Sequence, residues 1–178
     1  MSEKDYSEKS REELGLLEKI MSYIPGYRGY KEKELRRESD RLVRTEVVNK
    51  LKAAKNILRR KFADPAEIQK LSSEDAYLFE SLLIRLDRVT QRIDKAVAGY
   101  AGIFDAVKVK ENKLDAIIQH DLNLIEKADF IKMRIENLTK METGKDEWKE
   151  AINELISKVG ELDELVDQRS EFLRGLRE

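Results

Sequence analysis

Apolar residues recur at alternating steps of four and three through most of this chain, and residues that interrupt helices are scarce. The pattern is most regular near the C-terminus, at Trp148, Ile152, Leu155, Val159, Leu162 and Val166. Such spacing places side chains on one stripe of an α-helix, as in the seam of a coiled coil. The 178 residues include 2 prolines and 8 glycines, so the chain has few natural helix breaks. The sequence predicts an all-α protein.

The periodic segments divide the chain into four long helices, predicted over residues 30–62, 74–98 and 105–142 and along the apolar seam from Trp148 to Leu173. Short connections between long helices favour antiparallel neighbours. We expect an elongated antiparallel bundle of three to four long helices with coiled-coil-like packing. Each helix would be about 40–55 Å long at 1.5 Å per residue. Residues 26–178 would form this single domain, after a flexible tail over 1–10 and a short amphipathic helix over 11–25.

The motif Gly-Tyr-x-Gly occurs twice, at residues 26–29 and 99–102, and a long charged helix follows each copy. Glycine adopts left-handed backbone angles that other residues avoid. We predict a turn with positive φ at each copy, with Gly29 and Gly102 as the best candidates. Whether each turn reverses the chain or kinks it stays open at this point. Two further boundaries are predicted: Ser72 as the cap of one helix, and Gly144 as the end of another, with Asp146 as the cap of the helix that follows.

The stretch at residues 24–37 reads Ile-Pro-Gly-Tyr-Arg-Gly-Tyr-Lys-Glu-Lys-Glu-Leu-Arg-Arg. It resembles the opening of a group of uncharacterised all-helical prokaryotic proteins. The later Gly-Ile-Phe-Asp-Ala-Val-Lys, at residues 102–108, is similar to a second landmark of that group. The resemblance implies a helical protein, and it attaches no activity and no catalytic residue.

Composition excludes several classes of site. Charged and hydrophobic residues each make up 40% of the chain, which is typical of long helices. Cysteine is absent, which removes disulfides, thiolate metal sites and cysteine nucleophiles. The N-terminus lacks an apolar signal core and no apolar run is long enough to cross a membrane, so we expect a cytoplasmic protein. Abundant Lys, Arg and Glu favour a thermophilic source.

The second predicted helix is strongly basic although the whole chain has a net charge of −1. Residues 28–61 hold thirteen basic and five acidic residues, a net charge of +8, whereas residues 136–178 carry a net charge of −5. The two regions could pair internally, or the helix could face an acidic membrane surface or a nucleic acid. The possible anionic-partner face comprises Arg28, Arg36, Arg37, Arg41, Arg44, Arg59 and Arg60.

The N-terminal amphipathic segment carries an apolar stripe at Leu14, Leu17, Met21 and Ile24, widened by Leu16 and Ile20. A helix this short is marginal alone, so the stripe must dock somewhere. We predict that it docks on protein, either its own bundle or a second copy. A membrane is the alternative, which the slightly acidic charge of residues 8–24 disfavours.

Two neighbouring polar residues fall on the predicted helix over 105–142. His120 is the one histidine of the chain, so paired histidine metal sites and histidine triads do not fit, and we expect it at the helix surface or boundary. Asp121 falls at a step of the apolar stripe, between Ile117 and Leu124. A competing stripe at Ile118, Leu122 and Ile125 could turn Asp121 outward. Alternatively, Asp121 forms a buried pair with Arg or Lys that fixes helix register.

No residue pattern points to a catalytic, cofactor or metal site. The sequence favours a non-enzymatic interaction or scaffolding protein that acts through helix packing and self-association, with protein as its partner. A peripheral membrane-surface protein that uses the N-terminal helix and the basic helix over 30–62 is the first alternative. A weak nucleic-acid binder that uses the same basic helix is the second.

Overall fold

The computed structural model describes residues 14–29, 36–96 and 111–174. These ranges contain six helices: α1 over residues 14–23, α2 Arg36–Lys61, α3 Pro65–Ile68, α4 Ser73–Lys95, α5 Glu111–Leu138 and α6 Asp146–Arg174. No strand occurs among the described residues. The predicted all-α class is confirmed. The predicted tail over 1–10 and the second Gly-Tyr-x-Gly motif lie outside the described ranges.

The four long helices pack in a closed ring, in which α2 and α6 each contact both α4 and α5. The predicted stripes face the middle of this ring. On α6, the whole seam from Trp148 to Val166 is buried. On α4, the buried stripe is Leu82, Leu86, Val89 and Ile93, and Leu78 packs partly buried against it. One continuous apolar core therefore joins all four long helices.

Ion pairs between helices give their relative directions, because paired residue numbers rise together in parallel helices and oppositely in antiparallel ones. Helix α2 runs opposite to α4, and α5 runs opposite to α6, whereas α4 and α6 run the same way. The pairs between α2 and α4 are Lys52–Asp94 and Lys55–Asp87. Those between α5 and α6 are Lys127–Glu161 and Arg134–Glu154. Those between α4 and α6 are Asp75–Lys149 and Arg92–Asp167.

The start of α4 is fixed by a reciprocal cap, as the sequence predicts. The Asp75 backbone N–H donates to the Ser72 hydroxyl at 3.2 Å, and the Ser72 N–H donates to the Asp75 carboxylate at 3.1 Å. These two bonds satisfy amides that the first turn of a helix leaves unpaired. Asp146 differs from the prediction, because it is the first helical residue of α6 rather than the residue before it.

Helix α1 docks on its own chain through the first glycine turn. Ile20, Ile24 and Tyr27 are buried in the common core, and the Ser39 hydroxyl of α2 donates to the Gly29 carbonyl at 2.6 Å. Gly26 and Gly29 have φ of +88° and +72°. The positive φ predicted for this turn is confirmed.

Candidate functional site

A buried charge cluster, formed by Asp40, Arg44, Asp121 and Arg169, joins three helices. Arg169 of α6 donates to Asp121 of α5 at 2.8 Å and to Asp40 of α2 at 2.7 Å. Arg44 donates to the second oxygen of Asp40 at 2.8 Å. All four side chains are less than 10% exposed. The two arginines and two aspartates sum to zero charge, so the interior holds no net charge at this cluster.

Local sequence explains how the four side chains reach the interior. Asp121 occupies a step of the α5 stripe, and Arg169 follows Val166 at the next step of the α6 seam. Asp40 and Arg44 are four residues apart, so they lie on one face of α2. Taking charges out of water costs several kcal/mol per ion unless each is paired and hydrogen-bonded. The observed pairing meets that requirement across three helices.

The structure decides between the two expectations for Asp121. Its side chain is fully buried and paired with Arg169, so the buried-pair alternative holds. The competing stripe is buried too, at Ile118, Leu122 and Ile125. Both stripes can be buried because α5 packs against α2 on one side and α6 on another, while Ile118 also approaches Gly29 beside α1.

His120 lies beside the charge cluster, and the expectation that it lies at the helix surface or boundary is wrong, because the side chain is 5% exposed. The pKa of its imidazole is lowered to about 4, mainly by burial and also by the Arg169 guanidinium, while a hydrogen bond with the Leu165 backbone acts in the opposite direction. Desolvation and a nearby positive charge both disfavour the imidazolium form. His120 is therefore neutral at physiological pH.

A small void lies next to the two guanidinium groups. Its volume is about 20 Å³, and its walls include Val43, Arg44, Ile93, Leu124 and Arg169. A cavity needs on the order of 10–15 Å³ to hold one water molecule. The void can therefore hold about one water, and it is too small for an organic substrate.

The predicted anionic-partner face is divided between surface and interior. Arg44 is buried in the charge cluster. Five of the predicted arginines are exposed: Arg28, Arg37, Arg41, Arg59 and Arg60. The side chain of Arg36 is not among those that the structure describes. Of the exposed five, Arg41 pairs with Glu38 at 2.6 Å, and Arg59 lies 3.8 Å from Asp87. The surface thus retains part of the predicted face.

Much of the remaining positive charge of α2 is matched by other helices. Lys50 pairs with Asp129 of α5, Lys55 pairs with Asp87 of α4, and Lys61 lies 3.1 Å from Glu67 of α3. The acids of α6 instead pair with bases of α4 and α5, as in Arg88–Asp163 and Lys127–Glu161. The basic residues of α2 are therefore paired internally. Their carboxylate partners lie on α3, α4 and α5 rather than on the acidic C-terminal helix α6.

The predicted N-terminal stripe is also divided. Ile24 is buried and Leu17 packs partly buried against the core. Leu14 and Met21, seven residues apart, remain 58% and 47% exposed. The stripe therefore docks α1 on its own chain and leaves two apolar side chains on the outside.

Sequence reasoning missed a second exposed apolar pair, on the outer face of α4. Tyr77 and Ile84 are 70% and 67% exposed. They are seven residues apart, so they lie on one line along the helix. The seven-residue spacing was visible in the sequence, but only the longer inner stripe of the same helix was assigned as an apolar face.

Within the described ranges, no three His, Asp or Glu side chains come close enough together to hold a metal ion. None of the described helices combines the length and the apolar character that a membrane span requires. Comparisons of the chain with protein-family models, with curated proteins and with solved structures gave no match.

Proposed function

We propose that this chain is a non-enzymatic helical interaction protein of the cytoplasm that acts through helix packing and self-association. Its scaffold would be an elongated bundle of long helices with coiled-coil-like packing, in which α2 is antiparallel to α4 and α5 is antiparallel to α6. The observation that carries the proposal is the pair of outward apolar lines, Leu14 with Met21 on α1 and Tyr77 with Ile84 on α4. Large apolar side chains aligned on a helix surface are what a partner helix packs against.

The polar interior supports the same proposal. The charge cluster consists of pairs that satisfy one another, and the void beside it has room for about one water. Buried ionic groups of this kind have their best-attested role in fixing helix register. We assign the cluster to holding α2, α5 and α6 in register, and we assign binding to the outer surface.

The matched charge of α2 makes an acidic membrane or a nucleic acid the weaker partner. A polyanion binds by displacing counterions from unpaired Lys and Arg. Lys50, Lys55 and Lys61 already have carboxylate partners on neighbouring helices. The exposed Arg28 and Arg60 are basic residues through which either alternative would act.

Light scattering coupled to size exclusion tests the proposal on the full chain over a hundredfold range of concentration. We expect the mass to rise above that of a monomer. Parallel sedimentation with vesicles rich in acidic lipid, and titration with duplex DNA at about 0.15 M salt, should show no binding. A monomer at every concentration that pellets with the vesicles, or that binds the DNA, would replace this proposal with the corresponding alternative.

A further inference from the structure

The outer face of α4 has the features of one half of a symmetric helix pair. Besides Tyr77 and Ile84, the outward line includes Ser81, Arg88 and Gln91, at alternating steps of four and three. This is a second heptad seam, on the side of α4 opposite its buried stripe. A helix that carries two seams can pack inside its own chain and against another helix at the same time.

Charge along this face divides at its middle. The N-terminal half exposes Glu74 and Glu80, and the C-terminal half exposes Arg85, Arg88 and Lys95, while the exposed Asp94 lies 3.9 Å from Lys52 of α2. Arg88 pairs with Asp163 of α6. Among the residues that the structure describes, Glu74, Glu80, Arg85 and Lys95 have no ion-pair partner. Two such faces in parallel would oppose like charges, whereas two antiparallel faces bring acidic halves against basic halves.

We propose that α4 is a homodimer interface, in which α4 of a second copy packs antiparallel across this face. The inference rests on the proposed function, because it names the surface and the partner for self-association. We place the two-fold axis at the level along the helix midway between Leu82 and Leu83. Ile84 then packs beside Ser81 of the second copy. Tyr77 then lies beside Arg88 of the second copy, where the guanidinium can approach the aromatic face.

The size of this face sets the strength of the dimer. Helix α4 has 23 residues, which corresponds to a length of roughly 35 Å. A strip about 10 Å wide along that length buries roughly 350 Å² on each copy, and the pair stays below the ~1,200 Å² of a standard stable interface. The dimer is therefore weak and reversible. It also weakens with added salt, because exposed charges contribute to it.

The first test uses light scattering on the full chain carrying Ile84→Glu, with Met133→Glu as the matched control. Met133 is an apolar residue of α5 that is 47% exposed, and it lies off the proposed face. We expect Ile84→Glu to raise the dimer dissociation constant by about tenfold or more, since each copy would bury an unpaired carboxylate. Met133→Glu should leave the constant unchanged, and both variants should keep the melting temperature of the parent chain.

The second test uses the absence of cysteine in the chain, which makes any introduced cysteine unique. In the proposed pair, the two copies of Ser81 are about 4.5 Å apart along the axis, and the two copies of Gln91 are about 25 Å apart. A short bis-maleimide should cross-link Ser81→Cys to itself and should fail to cross-link Gln91→Cys to itself. A mixture of Glu74→Cys and Gln91→Cys should cross-link between the two variants.

The outcomes separate this inference from the proposed function. If Ile84→Glu stays a dimer and Met21→Glu becomes a monomer, self-association stands, its surface is α1, and the α4 interface is wrong. Efficient self-cross-linking of both Ser81→Cys and Gln91→Cys would show a parallel pair and overturn the antiparallel arrangement. A parent chain that is monomeric at all concentrations removes both proposals together.

Discussion

Asp40 accepts hydrogen bonds from two arginines, one on its own helix and one 129 residues later in the chain. Hydrogen bonds from a charged donor to a carboxylate are shorter and stronger than those between neutral groups. Arg169 in turn divides its guanidinium between Asp40 and Asp121. Each member of the charge cluster is therefore compensated by the others, so the loss of one arginine affects two carboxylates.

Arg169→Met is expected to destabilise the fold by about 3–5 kcal/mol, because Asp40 and Asp121 would keep buried charge without this partner. Chemical denaturation followed by circular dichroism measures the change. Arg59→Met is the matched control, since Arg59 is exposed and lies 3.8 Å from Asp87. Its effect should fall within the 0–1 kcal/mol that is typical of exposed ion pairs. Equal losses in the two variants would contradict a special role for the cluster.

His120 should make the stability of the fold depend on pH over a defined window. Its pKa is about 4 in the folded chain, against an ordinary value of 6.5. Between these values the unfolded chain binds more protons, so the free energy of unfolding falls as pH drops from 6.5 towards 4 and is level above 6.5 with respect to this group. The size of the effect is on the order of 3 kcal/mol, at about 1.4 kcal/mol for each pKa unit.

Comparison with His120→Gln isolates this contribution, because the carboxyl groups titrate in both proteins and cancel in the difference. The difference in unfolding free energy between the parent chain and the variant should change between pH 6.5 and 4 and stay constant from pH 7 to 9. A difference that is constant over the whole range would show that the imidazole titrates normally in the folded chain.

The sequence could locate these residues but could not assign their partners. Asp121 was visible as a polar step in an apolar stripe, yet its partner lies 48 residues away, where no local period can identify it. Arg44 was assigned to a surface face because its helix is rich in arginine. The burial of His120 depends on α6 passing over it, as its interaction with the Leu165 backbone shows. The sequence identifies the chemical group of each side chain, whereas the burial of that group and its partners depend on tertiary packing.

At the scale of helices, local patterns were more informative. The apolar seam of α6 and the inner stripe of α4 are properties of one segment each, and both are buried as predicted. The Ser72 cap also acts within four residues. The relative direction of α4 and α6 could not be predicted from the sequence. It depends on the path of the chain between helices, which the apolar stripe of a single helix does not specify.

The glycines between helices should form an ordered series on substitution by alanine. Gly144 has φ of +82°, and a Cβ there would lie 2.8 Å from the Lys70 carbonyl oxygen. Gly29 has φ of +72° and a Cβ would lie 2.9 Å from the flexible end of Leu17, whereas Gly26 has φ of +88° with open space. Left-handed backbone costs a residue with Cβ about 1–2 kcal/mol. We expect the losses to rank Gly144, then Gly29, then Gly26, as measured by thermal melts.

Gly160 supplies the control for this series. It lies within α6, and a Cβ there would meet nothing within 4 Å. Gly160→Ala should stabilise the chain by about 0.5–1 kcal/mol, because alanine loses less backbone entropy in a helix. If Gly144→Ala were as harmless as Gly160→Ala, the close approach between the 143–145 turn and Lys70 would be wrong.

At the scale of the whole molecule, helix α1 closes part of the core although it lies before the ring of long helices in the chain. Deletion of residues 1–24 removes Ile20 and Ile24, which are 0% and 5% exposed. We expect a loss of about 3–6 kcal/mol, at about 1.5–3 kcal/mol for each buried side chain. The lowered melting temperature should be accompanied by no change in binding to acidic vesicles.

Deletion of residues 1–13 is the control, since it leaves every described helix whole. Its melting temperature should stay close to that of the full chain. If vesicle binding by the full chain were strong and disappeared with residues 1–24, α1 would be a membrane helix rather than a part of the core.

The span between Asp40 and Arg169 has a consequence for how the chain is made. A ribosome releases α2 and α5 before α6, so both aspartates of the charge cluster are synthesised well before the arginine that joins them. Until then both carboxylates would lack the guanidinium that joins them. We therefore expect a nascent chain to close this part of its core only after Arg169 has been synthesised, so that the earlier helices stay accessible to chaperones and proteases until then.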